Sequence, residues 1–322
     1  MASQNPPPVA DDVQTALGKL LALQAPADMP DLLYHYTDAA GLAGMIQSGE
    51  IWMTDCRFCN DRYEVDAAMD NLVEQVSEVI KETNQVAAAA FDTACRKARE
   101  ETLCCILSLS ARRDQLSQWR AYADDGMGFC VGFSLPRNKP GLLLQECTYM
   151  PVGGVVEPVA LPTNAASLYA TVVQAVLAAS RGGPTRKATE LTALMLGTQH
   201  LLMTTLFREA IRRKNHHFFE EKEWRLIATV ARRPAPKDFR IGVRQRAGLL
   251  VPYAAYTGFL KQAASGPGGT GPRQSGALPI REILIGPRQN RKQAERALRV
   301  LLETNGYDPA KINIEHFDCG YR

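Results

Sequence analysis

Leu32-Leu33-Tyr34-His35-Tyr36-Thr37-Asp38 is the stretch whose reading decides the fold. Its apolar and aromatic side chains favour an extended strand. Alternation puts His35 on one face with Leu33 and Thr37, and Tyr34 and Tyr36 on the other. Asp38 then stands where a helix N-cap belongs, Leu42, Met45 and Ile46 share one helical face, and Gly49 marks the helix end. Ile51-Trp52-Met53-Thr54 resumes the strand pattern. Strand, helix and strand in immediate succession predict an α/β (α+β) core.

Outward from this unit, residues 63–100 read as helical, with Leu72, Val73, Val76, Val79 and Ile80 forming a stripe and a break near Thr83 or Asn84. Residues 165–179 and 187–213 form a second helical block. Strands are expected over 103–110, 129–133, 224–230, 248–256, 282–285 and 312–317, with helices over 115–123 and 291–304. The Gly/Pro/Ser-rich stretch 264–276 is expected to be a mobile loop. Residues 1–30 read as a Pro-rich tail with a short helix, and 31–322 as one domain with helical insertions at about 63–100 and 165–213.

Composition excludes more than it selects. The 322 residues carry 37 basic and 34 acidic side chains, a net charge of +3 that gives no reason to expect wholesale nucleic-acid binding. No run approaches about 18 apolar residues, and the first thirty lack a basic region followed by an apolar one, so no membrane partner and a cytoplasmic location are expected. Adjacent Cys104 and Cys105 on an apolar run suit reduced, packed thiols. Cys56-x-x-Cys59 has no second ligand pair at zinc spacing, so no metal is expected.

Three clusters are able to carry chemistry. Alternation from 221 to 229 places Glu221, Glu223 and Arg225 on one strand face and Trp224, Leu226 and Ala228 on the other. Paired carboxylates of this kind stabilise a developing cation, or simply form an ion pair on a solvated face. His35 is a core histidine or a ligand contact. Asn60, Asp61 and Glu64 cap a helix or line a cleft beside His35. Arg208, Arg212, Arg213, Lys214, His216 and His217 complement a helix C-terminus or hold a phosphate-bearing partner. Trp52, Trp119 and Trp224 are expected in the core.

Taken in order, Tyr34-His35-Tyr36-Thr37, Asn60-Asp61-x-x-Glu64, Gln118-Trp119-x-x-Tyr122, Gly128-x-x-x-Gly132-Phe133, Glu221-x-Glu223-Trp224-Arg225, Ile285-Gly286-Pro287 and Tyr321-Arg322 resemble a bacterial family known only as a domain of unknown function, the 2971 type. More distantly, the strand with His-x-Thr followed by a helix and a Ser-Gly turn resembles the entry of the ADP-ribosyltransferase fold. That resemblance implies a split mixed sheet with helical insertions and NAD as substrate. His35 would grip a ribose hydroxyl, Ser108 or Ser110 would brace the site, and Glu223 would be the catalytic carboxylate, with Glu221 preparing the acceptor. Tyr36, Trp119 and Tyr122 are the candidates for stacking on nicotinamide, and Thr37, Asn60, Glu64 and Arg225 complete the cofactor-binding set. The middle motif reads Ser-Leu-Ser, where the better-known transferases have Ser-Thr-Ser.

The implied activity is NAD-dependent ADP-ribosyl transfer to a protein or nucleic-acid acceptor, in the setting of a bacterial toxin or antiviral defence. Two alternatives stay open: a non-catalytic module that senses a nucleotide or binds nucleic acid, and an NAD glycohydrolase. The sequence does not name the acceptor or the oligomeric state.

Overall fold

The computed structural model describes residues 29–59, 62–136, 139, 141–150, 160–180, 186–246, 248–260 and 278–321. Residues 1–28, where a tail with a short helix is expected, Asn60, Asp61, the stretch 264–276 and Arg322 lie outside them.

The opening strand and helix follow local chemistry. β1 (Leu33–Thr37) leads into α1 (Ala39–Ser48) and β2 (Ile51–Asp55). The Asp38 carboxylate accepts from the Gly41 amide at 2.7 Å, which satisfies one of the helix's orphan donors. Gly49, at φ 65°, ends α1 in the left-handed conformation that glycine takes without steric cost. α2 (Arg62–Thr83) and α3 (Gln85–Glu101) come next, and Asn84 breaks them by accepting from the Ala87 amide at 3.0 Å.

β3 (Thr102–Ser110), α4 (Leu116–Tyr122), β4 (Phe129–Phe133), β5 (Leu143–Glu146) and β6 (Thr148–Met150) precede α5 (Ala160–Ser180) and α6 (Arg186–Arg212). The chain closes with β7 (Arg213–Asn215), β8 (Glu223–Ala231), β9 (Phe239–Arg246), β10 (Leu249–Tyr256), β11 (Ile280–Ile285), α7 (Arg291–Thr304) and β12 (Asn313–His316). β5, β6, β7 and β9 are absent from the sequence reading. The first three are too short to show a period. β9, Phe-Arg-Ile-Gly-Val-Arg-Gln-Arg, is an edge strand with little buried surface, so its charges mask the alternation.

The chain divides into two compact units. The helical stretches fall together in the first, because their stripes close on each other. Leu72, Val76, Ile80, Phe91, Tyr169, Leu202 and Leu206 form a core of their own there, with the Phe91 and Tyr169 rings 5.9 Å apart. Among the described residues no helix is long and apolar enough to cross a membrane.

The second unit is built on a mixed sheet ordered β12-β11-β4-β1-β3-β2-β10-β9, with β8 on β3 and β5 on β8. β11 and β12 run parallel, while the other ladders of this sheet are antiparallel. One face buries Leu33, Leu107, Leu109, Val131, Phe133, Trp224, Leu226 and Ile283 against α1 and α7. The other carries a smaller aromatic cluster of Tyr34, Tyr36, Trp119, Cys130 and Leu284. The expected alternation in β1 and β8 therefore holds.

The pairing of β3 positions the site. Along one edge it pairs continuously with β8, from Thr102↔Ala231 to Ser110↔Glu223. On the other edge it meets β1 only at Tyr34↔Ser110 and β2 only at Thr54↔Ile106 and Asp55↔Cys105. Residues 107–109 thus lack a ladder partner there among the described residues, and the sheet parts between β1 and β2. Two glycines hold the far end of β1. A Cβ on Gly128 would stand 2.3 Å from the Thr37 carbonyl oxygen, and one on Gly286 would stand 2.2 Å from that of Gly126. Only a bare backbone fits at either position.

Candidate functional site

A cleft of about 380 Å³ opens where β1 and β2 part, a size within the range of small-ligand sites. A second hollow, beside Leu135 and Phe259, has a volume of about 10 Å³, room for one water at most.

His35 stands at the parting of the strands. Its Nδ1 lies 2.9 Å from the Ser108 carbonyl oxygen, one of the backbone acceptors that the missing ladder leaves open. A carbonyl only accepts, so Nδ1 carries the hydrogen and Nε2 of the neutral ring is an acceptor. Burial, with the positive charges of Arg244 and Arg246, pulls the imidazole down to about 4 against the opposing effect of the Ser108 carbonyl. The ring is therefore neutral at physiological pH, and its free nitrogen suits a hydroxyl donor.

The opposite wall is a charged network. Glu223 and Arg225 share a face of β8, and Arg225 Nε donates to Glu223 Oε1 at 2.9 Å. Arg225 is 1% exposed, held behind its pairing with Glu223. Lys214, on β7, donates to Glu223 Oε2 at 2.5 Å and also to Glu221 Oε2. Burial would raise the Glu223 carboxyl, but Arg225 and Lys214 outweigh it and hold the group at about 2. Glu223 is ionised throughout the physiological range. Its backbone amide donates to the Tyr149 hydroxyl at 2.8 Å, fixing the start of β8.

Glu221 departs from the expected arrangement. It is not on the strand but in a 3₁₀ turn, His216–Glu221, which Lys222 ends at φ 44°, and β8 begins only at Glu223. Period-two alternation therefore does not extend back to 221. Lys214 nonetheless bridges the two carboxylates, and the Tyr122 hydroxyl donates to Glu221 Oε1 at 3.4 Å. The turn is held by Ser110, whose Oγ donates to the Glu221 carbonyl at 2.6 Å and accepts from the Arg112 amide at 3.0 Å.

The cleft lining brings together His35, Tyr36, Thr37, Ser108, Tyr122, Glu221, Glu223 and Arg225 from the expected set. Ser108 presents an exposed side chain, whereas Ser110 is buried as a structural brace. Tyr36 lines the cleft but is itself anchored, its hydroxyl donating to the Arg112 carbonyl at 2.8 Å. Trp119 does not belong to the lining. It is fully buried, stacked on Phe317 at 5.4 Å and edge-on to Tyr36 at 5.2 Å, because packing against the aromatic cluster outweighs exposure of so large a ring. Asn60 lies outside the described residues; Glu64 is a helical residue of α2, in the other unit.

Several lining residues escape the sequence reading as site residues, among them four with polar or aromatic side chains facing the cleft. Lys214 reads as part of a basic cluster at a helix end. Gln118, buried on α4, reads only as part of a motif. Trp52, expected in the core, is half-buried and faces the cleft, since β2 pairs with β3 at only two positions. Arg244 comes from the unrecognised β9. The signal was there: Arg240, Gly242, Arg244 and Arg246 alternate along that strand.

No family model matches the chain, and no curated protein and no solved structure is found to be similar to it.

Proposed function

We propose that this cleft binds NAD and transfers its ADP-ribosyl group, and that the chain is a distant relative of the ADP-ribosyltransferases and of the 2971-type bacterial family. The observation that carries the reading is the meeting of His35, Ser108 and Glu223, from three separate strands, in one cleft at the point where the sheet parts. A neutral His35 with a free Nε2 suits a ribose hydroxyl, and a Glu223 held ionised suits a cationic sugar.

In this reading the bond between ribose C1′ and the nicotinamide nitrogen breaks, and its electron pair leaves with nicotinamide. The positive charge left on the ribose is stabilised by Glu223. An acceptor nucleophile then bonds to C1′ and gives up its proton. Glu221, beside Glu223, would orient or deprotonate that acceptor, and Tyr122 or Tyr36 offers the ring against which nicotinamide lies. A role in bacterial conflict follows by analogy with that fold alone.

A second reading is favoured by one observation. Lys214 and Arg225 already occupy the Glu223 carboxylate, which lowers its power to stabilise a further cation and suits a binding module that holds a nucleotide without cleaving it.

The test incubates the purified chain with NAD labelled in its ADP-ribose half and a bacterial lysate, following nicotinamide release and label. Label on protein or nucleic acid, lost with Glu223→Gln, supports transfer and reveals the acceptor class. Nicotinamide release with free ADP-ribose alone supports hydrolysis. Tight binding without release moves the assignment to the binding module.

A further inference from the structure

The wall of the cleft opposite Glu223 holds a cation of a different kind. Arg240 and Arg244 lie two alternations apart on β9, with the Tyr253 ring between them at 5.7 and 5.6 Å from their guanidinium carbons. Gly242 makes that placement feasible, since a Cβ there would stand 2.8 Å from the ring. The two arginines then part ways. Arg240 Nη2 pairs with Glu50 at 2.5 Å, and its Nε reaches the same carboxylate at 3.3 Å. Arg244 pairs with no carboxylate among the described residues.

Arg244 is nevertheless fixed. Its Nη2 donates to Thr54 Oγ1 at 2.7 Å, and its carbon lies 5.9 Å from the Trp52 ring. Its Nε is buried without a hydrogen-bond partner. The charged groups around it are Arg246, which adds to the positive potential, and Asp38, whose carboxylate caps α1. Burial disfavours the charge of Arg244 and Arg246 opposes it further. A half-buried, pre-oriented guanidinium that lines a cleft and pairs with no carboxylate among the described residues is costly to the fold unless a ligand supplies the anion. The cleft is therefore polarised: Glu221 and Glu223 are neutralised at one wall, and Arg244 with Arg246 leaves positive charge at the other.

We propose that Arg244, with Arg246 beside it, is the phosphate subsite of this cleft and takes the pyrophosphate of a dinucleotide, its planar guanidinium donating to two phosphate oxygens at once. The identity of the ligand rests on the nucleotide reading above; the preference for a phosphate-bearing ligand rests on the arginines alone. With the pyrophosphate here, Trp52 offers its ring to the part of the ligand on that side, and the ribose is left for His35.

The full chain and its Arg244→Gln and Arg246→Gln variants are titrated calorimetrically with inorganic pyrophosphate, ADP-ribose, NAD, adenosine and nicotinamide riboside. Pyrophosphate and ADP-ribose are expected to lose about 10- to 100-fold in affinity with Arg244→Gln, the loss of one charge-assisted contact, and less with the exposed Arg246→Gln, while the two phosphate-free nucleosides are unaffected. Equal affinity of every variant for ADP-ribose, or wild type that binds no phosphate-bearing ligand, overturns the subsite. Should Arg244→Gln fail to fold, an unchanged ADP-ribose affinity in Arg246→Gln does so alone. Arginine-dependent pyrophosphate binding without NAD binding keeps the subsite and removes the NAD reading; NAD binding indifferent to both substitutions does the reverse.

Discussion

Lys214 donates to Glu223 across 2.5 Å, and the same ammonium also reaches Glu221, so one lysine ties together the two carboxylates of this wall. With Arg225 on the other oxygen of Glu223, the wall is electrically balanced before a ligand arrives.

Removing one partner of so buried a set should therefore be costly. Glu223→Ala removes the carboxylate that Arg225 and Lys214 share, leaving Lys214 with Glu221, and is expected to lose about 3–5 kcal/mol of stability, with Glu223→Gln losing less because it retains hydrogen-bond acceptance. Urea denaturation of both variants checks this. A loss under about 1 kcal/mol for Glu223→Ala would show the network to be solvated.

Lys214→Met is expected to leave Arg225 as the main support of the ionised Glu223. The carboxyl should then titrate higher, and the acid limb of the pH profile for nicotinamide release should move upward in pH. An unmoved acid limb would mean that Lys214 serves the turn at 216–221 and not the carboxylate.

His35 gives a pH dependence of known direction. Its imidazole is held at about 4 in the folded chain, against 6.5 for an ordinary histidine, so between these values the unfolded chain binds the extra proton. Stability should fall as pH drops from 6.5 to 4 and lose nothing further from this group below that. Glu223 acts in the same direction over a lower window, from 4.5 down to about 2. His35→Asn should flatten the upper window and leave the lower one, as measured by denaturation across pH. NMR titration placing His35 near 6.5 would contradict the partly buried, Nδ1-protonated ring.

The two serines of the Ser-Leu-Ser motif should separate. Ser110→Ala strands the Arg112 amide and the Glu221 carbonyl, and is expected to cost about 1–3 kcal/mol. Ser108→Ala, at an exposed position, should stay within about 0.5 kcal/mol of wild type while weakening ligand binding. Paired denaturation and NAD titration curves check both, and equal stability losses would refute the division of labour.

Much of this was legible in the sequence because local chemistry agreed with tertiary structure. Asp38 and Gly49 bound α1, Asn84 breaks α2 from α3, and Trp224, Leu226 and Ala228 enter the core on the face that alternation assigns them. The site was legible wherever its residues sit on such elements, as His35 and Glu223 do. Where non-local forces decide, the sequence was silent or misleading. Lys222 takes a left-handed conformation that ends the alternation before Glu221. Trp119 reads as a candidate stacking ring, but Phe317, close to the C-terminus, claims it. Arg244 acquires its meaning only once β9 is set beside β10 and Trp52, and nothing short of that pairing distinguishes it from Arg240.

We propose that Glu223 stabilises the ribosyl cation formed when nicotinamide leaves. The most direct test is the initial rate of nicotinamide release from NAD by wild type and by Glu223→Gln, at a temperature where both are shown to be folded and to bind NAD. The account predicts release by wild type and a rate at least about 100-fold lower in the variant, the scale of losing one preorganised electrostatic contact. Equal rates, or NAD bound by wild type and never cleaved, would contradict it.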